Sequence, residues 1–404
     1  MPILRPRPAI LLPRSARALP KTARRAYASA SPSADKKTGL YDFHVQHGGK
    51  MVPFGGWSMP LSYADVGQVA SHKHVRSAAG LFDVGHMVQH MFRGPRAGAF
   101  LAHLTPSSLS SLPAFSSTLS VLTLPSGGIL DDLIITKHAD DAWYVVTNAG
   151  RAKEDCAWFA QQLEEGGWKD GVQWEVLEGQ GLVALQGPEA ANVLQKHTSF
   201  DLKTLTFGRS AYLSVDGVEV HVARGGYTGE DGFEISIPAE HTVKITSALL
   251  EGPVQLAGLG ARDSLRIEAG MCLYGSDIDE TTTPVEGGLS WVIGKDRRAA
   301  GDFIGAETIL KQLKEGPTRR RVGLIVQGAP ARHGAKIFDG EGAEEIGIVT
   351  SGIPSPTLGQ NVAMGYVRSG HHKKGTPIKV DIRGKLREAA VAKMPFVESR
   401  YWRG

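Results

Sequence analysis

Three short stretches carry side chains whose types and spacing could do chemistry. The first is Pro125-Ser-Gly-Gly-Ile-Leu-Asp-Asp-Leu-Ile-Ile-Thr136, which places adjacent carboxylates, Asp131 and Asp132, inside a run that otherwise reads as a buried strand. Successive strand residues point to opposite faces, so one carboxylate shares a face with Ile129, Leu133 and Ile135 and the other with Leu130 and Ile134. Both faces are apolar. At least one Asp is then half-buried or faces a cleft, where burial raises its pKa and makes it seek a donor. The alternative is a hairpin turn at Ser126-Gly-Gly whose two acids merely trim the strand end.

The second stretch, Arg224-Gly-Gly-Tyr-Thr-Gly-Glu-Asp-Gly-Phe-Glu-Ile-Ser-Ile237, is a glycine-dense loop before an alternating strand. It lacks the Lys-Ser/Thr ending of a phosphate loop, and Glu230-Asp231 would repel an anion. Such a loop can offer a carboxylate to adjacent N–H donors on an amidine, a guanidine or the amino edge of a pterin; otherwise it is a turn with exposed acids. In the third, Gly258-Leu-Gly-Ala-Arg-Asp-Ser-Leu-Arg-Ile-Glu-Ala-Gly-Met-Cys-Leu-Tyr274, a helical reading puts Leu265, Ala269 and Cys272 on one stripe. Asp263 serves Arg266 at i,i+3, which leaves Arg262 near the helix start without a local partner. A cation there opposes the helix dipole by about 0.3–1 kcal/mol, a cost that an external anion removes and that a solvated surface Arg tolerates. Together, a carboxylate for an N–H-rich ring, an Arg for a ligand carboxylate and a half-buried Asp beside the reacting atoms suit folate, whose two ends want opposite charges.

The elements that must position these groups read as short strands, single helices and Gly/Pro turns, an α+β pattern with largely antiparallel sheets. Residues 40–47 form a short helix stopped by Gly48-Gly49, and 68–79 form another with Gly80 just past its end. The stretch 81–92 is strand-like with a kink at Gly85. Trp143-Tyr-Val-Val-Thr-Asn148 is a strand leading into a helix near Arg151, so Asn148 is a helix cap or a ligand-binding amide. Gly187-Pro188 opens a further helix after the strand 181–186. Beyond a boundary near 314–321, the segments 322–326, 335–338, 345–350, 362–367, 377–382 and 387–391 fit a small C-terminal β-barrel or sandwich. His44 and His47 are three apart but lack further ligands at usable spacing, and no metal is expected.

At 404 residues the chain predicts two or three domains. No apolar run approaches the length needed to span a bilayer, and two cysteines, Cys156 and Cys272, point to a reducing compartment. Seven of the 45 basic residues fall within residues 1–30, which hold no acid, so the remainder carries 38 basic against 41 acidic residues. That Arg-rich, acid-free leader reads as a mitochondrial presequence rather than a secretory signal. The alternative, a basic arm for nucleic acid, finds no basic, aromatic-interleaved pattern downstream, and neither nucleic acid nor membrane is an expected partner.

Ordered along the chain, Leu40-Tyr-Asp-Phe-His with His47-Gly-Gly-Lys-Met, Leu81-Phe-Asp-Val-Gly-His-Met, Gly127-Gly-Ile-Leu-Asp-Asp-Leu, Gly226-Tyr-Thr-Gly-Glu-Asp-Gly, Ala261-Arg-Asp-Ser-Leu-Arg-Ile-Glu-Ala-Gly, Thr283-Pro-Val-Glu-Gly, Asn361-Val-Ala-Met-Gly-Tyr and Lys393-Met-Pro-Phe-Val resemble the aminomethyltransferase (T-protein) family of the mitochondrial glycine cleavage system. The resemblance implies two mixed α/β lobes and a C-terminal β-barrel around a folate site. It divides the chain into a presequence (1–30), a folate-binding region (36–315) and the barrel (319–404). It also implies an enzyme of the mitochondrial matrix that takes the aminomethyl group from the dihydrolipoyl arm of H-protein. The carbon passes to tetrahydrofolate, the acceptor substrate, giving 5,10-methylenetetrahydrofolate and ammonia, and the remaining glycine cleavage components are implied partners. On the family pattern Asp132 is the catalytic carboxylate, with Asp131 trimming the turn; Glu230 holds the pterin and Arg262 meets the glutamate tail. Met87, Asn148, Tyr227, Trp291 and Tyr401 line the cleft. Gly85 departs from the Ser many members carry, and Arg400-Tyr-Trp departs at the C terminus.

Competing readings are an iron-sulfur-assembly folate binder, whose Lys-Gly-Cys-Tyr loop is missing at Gly270-Met-Cys-Leu-Tyr-Gly275, and the folate domain of a sarcosine- or dimethylglycine-type dehydrogenase, whose flavin domain is missing. A third is a folate carrier with no catalysis. The basic runs Arg297-Arg298 and Arg319-Arg-Arg321 would dock an acidic carrier protein or simply be solvated.

Overall fold

The alternating run around Asp131 and Asp132 forms the strand Ile129–Ala139, second in an antiparallel five-stranded sheet ordered Ser116–Thr123, Ile129–Ala139, Ala142–Thr147, Val88–Arg93, Gln173–Val176. Its hairpin with Ser116–Thr123 turns at 124–128, where the Gly127 N–H donates to the Leu124 carbonyl. The turn fits against the Glu280 carbonyl so closely that a Cβ on Gly128 would collide with it. The computed structural model that gives this arrangement describes residues 35–64 and 66–404; the presequence expected at 1–30 lies outside them.

Helices Ala97–Leu104 and Ala152–Glu165 cover one face of this sheet, with Phe92, Phe100, Trp143 and Phe159 packed between. A second sheet runs Ser210–Val215, Val218–Arg224, Gly232–Ile237, Gly181–Gln186, Ala79–Asp83, Val254–Leu256, antiparallel except for its last pair. Its outer face packs on helices Ala190–Leu194 and Thr242–Ala248. The remaining faces of the two sheets share one core: Phe82, Leu182 and Ala184 from one, Met91, Tyr144 and Val146 from the other, and Ala261 and Leu265 from helix Leu259–Glu268. Strands with both faces covered must be apolar on both, which is why the acids of Ile129–Ala139 stand out.

All six C-terminal segments form strands, and they close into a barrel ordered Arg319–Val326, Asn361–Arg368, Glu345–Pro354, Lys336–Phe338, Pro377–Ile382, Lys385–Ala392. The fold class is therefore two α+β lobes with largely antiparallel sheets plus a β-barrel.

Several local readings need correction. The second helix is Gln68–Ser77; Gly80 lies inside the next strand, where its missing side chain lets Val75 pack onto the sheet. The run 81–92 is two strands, Ala79–Asp83 and Val88–Arg93, that part at Gly85 and join different sheets. Helix Leu259–Glu268 ends before Cys272, because Gly270 at φ +70° turns the chain out and the Met271 N–H returns to the Arg266 carbonyl. His44 sits in a buried chain with Asp83, 2.8 Å from Nε2, and the Tyr63 hydroxyl, 2.9 Å from Nδ1, whereas His47 contacts the Phe43 carbonyl. Among the described residues no helix is long and apolar enough to cross a membrane.

Candidate functional site

Strand pleating separates the two carboxylates. Asp131 is fully buried, while Asp132, on the face of Ile134, is half-buried. Trimming a turn is therefore not what Asp131 does: it accepts hydrogen bonds from the Asn148 backbone N–H and Nδ2, both at 2.9 Å. The Asn148 amide also reaches the Asp132 carbonyl at 3.0 Å and its Oδ1 at 2.9 Å. Two amide hydrogens thus serve three acceptors on adjacent residues, which locks the amide toward the acids. The Asn148 side-chain oxygen accepts no bond from the short 3-10 turn that follows, so the capping alternative fails. Burial lifts Asp132 to about 6 against the relief from Asn148, and burial together with the charges of Asp155 and Asp132 drives Asp131 well above the usual carboxylate range.

The loop 225–231 separates its acids as well. Asp231 pairs with Arg224 across the loop base at 2.5 Å, whereas Glu230 is fully buried. Gly226, at φ +151°, passes against the Gln186 amide where any side chain would overlap it, and this lets the loop fold inward. Glu230 Oε1 accepts from Arg76 Nη1 at 3.0 Å; Oε2 has no hydrogen-bond partner, and Arg400 Nη1 stands 3.7 Å away. Burial raises the Glu230 pKa, with Arg76 and Arg400 pulling it back. Arg76 also grips Glu268 at 2.9 Å and the Thr228 carbonyl at 2.7 Å. Arg76 belongs to none of the three sequence stretches, although it stands four residues from His72 on one helix face, and His72 Nε2 lies 3.1 Å from the same Glu268.

Arg266 is served by Asp263 at 2.9 Å, as its spacing indicated, and by Asp277 at 2.5 Å. Arg262 has no ion-pair partner among the described residues. Its guanidinium lies 4.7 Å over the Tyr227 ring, and its buried Nη1 has no acceptor. Burial lowers its pKa, opposed by the charge of Glu234. Arg262 and Tyr227 line a cavity of about 630 Å³ between the hairpin Val52–Leu61 region, helix Leu259–Glu268 and the barrel strand Glu345–Pro354, with Arg332 and His333 at the barrel side. Tyr227 joins the two charged ends. Its hydroxyl donates to the Cys272 carbonyl, and its pKa, raised mainly by burial, also feels both Asp132 and Arg262. Asp132 and Glu230 themselves do not line this cavity.

The weaker candidates divide. Tyr401 stacks on Phe207 at 4.2 Å in a C-terminal strap whose Arg400 N–H donates to the Gly229 carbonyl beside Glu230. Met87 packs half-buried against the core that holds Ala261 and Leu265. Trp291 stands apart: it is 63 % exposed on a 3-10 turn and lines no part of the cavity. Most side chains of the basic runs are held by neighbours, although Arg320 Nε has no partner and Arg298 is exposed. Arg297 pairs with Asp302 and the Ala102 carbonyl, Arg298 binds the Ser290 and Ile293 carbonyls, and Arg319 and Arg321 reach Glu286 and the Gly287 carbonyl.

Comparison with known proteins gives the family of the chain. Residues 40–297 match the GCVT N-terminal domain and residues 319–398 the glycine cleavage T-protein C-terminal barrel domain. A probable mitochondrial aminomethyltransferase of Schizosaccharomyces pombe is 52 % identical over 382 residues, covering 94 % of this chain and 97 % of its own. The mitochondrial aminomethyltransferase of Pisum sativum is 50 % identical, with 93 % and 92 % covered. The crystal structure of glycine cleavage system aminomethyltransferase T from Bartonella henselae superposes with a TM-score of 0.85 at 40 % identity, covering 92 % of this chain and all of that one.

Proposed function

The chain belongs to the aminomethyltransferase family of glycine cleavage T-proteins, and from that premise we propose how its own residues carry the family's reaction. The protein is a mitochondrial, tetrahydrofolate-dependent aminomethyltransferase of the glycine cleavage system. It transfers the one-carbon unit of the aminomethyl group to tetrahydrofolate, forming 5,10-methylenetetrahydrofolate and releasing ammonia. The reading assigns lipoylated H-protein as the donor, the other cleavage components as further partners, the mitochondrial matrix as the compartment and no metal to the chemistry. It divides the chain into a presequence (1–30), a folate-binding region (36–315) and a barrel (319–404).

One observation supports the site: the unpartnered guanidinium of Arg262 and the raised carboxyl of Asp132 border one tyrosine, and the loop that carries this tyrosine also carries Glu230, a buried carboxylate with an unpartnered oxygen. Glu230 Oε2 accepts nothing, Arg262 Nη1 donates to nothing, and Asp132 is half-buried with a raised pKa, while Tyr227 borders both Arg262 and Asp132. In our assignment Glu230, steadied by Arg76, takes the N–H edge of the pterin through its unpartnered oxygen. Arg262 takes a carboxylate of the glutamate tail. Asp132 stands at the reacting nitrogens. A folate nitrogen attacks the methylene carbon and sulfur or ammonia leaves. The two N–H protons that folate gives up pass to the thiol and to ammonia. Ionised Asp132 stabilises the positive charge that develops on nitrogen and accepts a proton in passing. Asn148 orients Asp132, Tyr227 and Met87 flank the ligand, and Tyr401 closes the Glu230 side. Trp291, exposed, has no part in this assignment.

The deciding experiment measures methylenetetrahydrofolate formed from aminomethylated H-protein and tetrahydrofolate. Turnover that disappears in Asp132→Asn supports the assignment. Folate binding without turnover in the parent protein would instead make the chain a carrier.

A further inference from the structure

Asp155 is a buried acid for which the reaction above gives no role. It lies in the first turn of helix Ala152–Glu165, fully buried, and neither carboxyl oxygen receives a hydrogen bond. A bare carboxylate in that position is costly, so the group must keep a proton or share one. Its partner is at hand. The carboxyl of Asp131, equally buried, lies beside it, with both of its own oxygens engaged by Asn148.

The surroundings supply no direct neutralising cation. Arg151, on the preceding turn, is directed to Glu280, Glu154 and the Leu130 carbonyl. Asp132 and Glu154 add negative charge, and Tyr274, whose hydroxyl donates to the Ile129 carbonyl, lies within reach of the Asp131 charge. On the strand side the Thr147 hydroxyl faces Asp155 and lowers its pKa slightly against the burial; it also lies 3.1 Å from His90 Nε2, and burial keeps that imidazole neutral, with its pKa lowered to about 4. Two carboxyls in contact under these conditions hold one proton between them at neutral pH.

We propose that Asp155 is a positioning residue for Asp132: by sharing one proton with Asp131, it holds the Asn148 amide in the orientation that fixes the Asp132 carboxylate. The shared O–H···O bond satisfies Asp155 and leaves the outer lone pairs of Asp131 to the Asn148 N–H groups. Asn148 in turn presents Nδ2 to Asp132 Oδ1. Burial raises both carboxyls, so the pair gives up its shared proton only at a pH well above the ordinary carboxylate range. The pair then carries two charges, its members repel, and the amide loses its fixed seat.

Asp155→Asn and Asp155→Val test this through the pH profile of kcat. The asparagine keeps an N–H donor toward Asp131 but has no proton to lose, so the basic limb of the profile shifts upward or vanishes. The valine removes the donor, and kcat falls by roughly tenfold to a hundredfold at every pH, the cost of a misplaced catalytic group, with KM for tetrahydrofolate unchanged. Rescue by asparagine with an altered basic limb supports the proposal. An asparagine profile that overlays the parent's overturns it, as does a valine variant with parental kcat; if the valine variant does not fold by circular dichroism, the asparagine profile decides alone. The proposal rests on Asp132 as the catalytic carboxylate, and the two fail separately. Parental turnover in Asp132→Asn removes that assignment, whereas an inactive Asp132→Asn beside an unshifted Asp155→Asn profile removes only the role of Asp155.

Discussion

At the scale of single residues, the site is built from groups whose electrostatic needs the protein leaves unmet. In the proposed assignment Asp132, lifted to about 6 by burial, acts in its ionised form, so turnover should fall as pH drops through about 6. That acid limb should be missing from the residual rate of Asp132→Asn, whose kcat should be lower by roughly 10²–10⁴ while calorimetry finds tetrahydrofolate affinity nearly unchanged. Arg262→Ala should do the reverse. Removing a buried, unpaired guanidinium gives up a charge-assisted hydrogen bond to the ligand worth about 1.5–3 kcal/mol, so folate should bind roughly tenfold to a hundredfold more weakly by calorimetry. Unchanged affinity would remove Arg262 from the site.

The elements matter because each charged pair in the sequence is divided by the element that carries it. A strand turns Asp131 inward and leaves Asp132 half-exposed; a glycine loop lets Arg224 capture Asp231 and folds Glu230 under Arg76; a helix gives Arg266 its acids and leaves Arg262 over Tyr227. The loop depends on Gly226, since a methyl group there meets the Gln186 amide and a backbone at φ +151°. Gly226→Ala should cost roughly 1–3 kcal/mol, visible as a lower Tm, and should weaken folate binding because Glu230 is displaced. The C-terminal strap is the second support. Deleting residues 399–404 removes the bonds from the Arg400 N–H to Gly229 and from the Phe207 N–H to Trp402. Folate affinity should fall more than Tm does, because the strap covers the Glu230 loop without entering any main core cluster. Equal, small losses in both would make it a passive tail.

For the whole molecule, Glu268 is the point where helix Gln68–Ser77, helix Leu259–Glu268 and the barrel loop 354–358 meet. It takes bonds from Arg76, the Ser355 hydroxyl, and the Thr357 N–H and hydroxyl, with His72 Nε2 alongside at 3.1 Å. Burial alone would raise its pKa, but the hydrogen bonds from His72, Ser355 and Thr357 outweigh it and hold Glu268 down to about 2. A carboxylate depressed in the folded state stabilises above its unfolded pKa, near about 4.3, and loses that contribution as pH falls toward about 2; the amount is roughly 3 kcal/mol. Glu268→Gln should therefore lower Tm at neutral pH and flatten the decline of Tm in acid. A variant whose acid decline matches the parent's would show that other groups carry it. Much of this molecule was legible in its sequence. Alternation and turn residues located the six barrel strands and the cleft strand, and ordered motifs implied the family, because period and turn chemistry are local properties of the chain. The i,i+3 partner of Arg266, and with it the isolation of Arg262, was legible for the same reason. Local rules could not divide the run 81–92 between two sheets, choose which of two adjacent acids faces inward, find Arg76 beneath Glu230, or place Asp155 against Asp131. Those outcomes depend on contacts between residues tens to hundreds of positions apart, which exist only once the sheets and the barrel have packed.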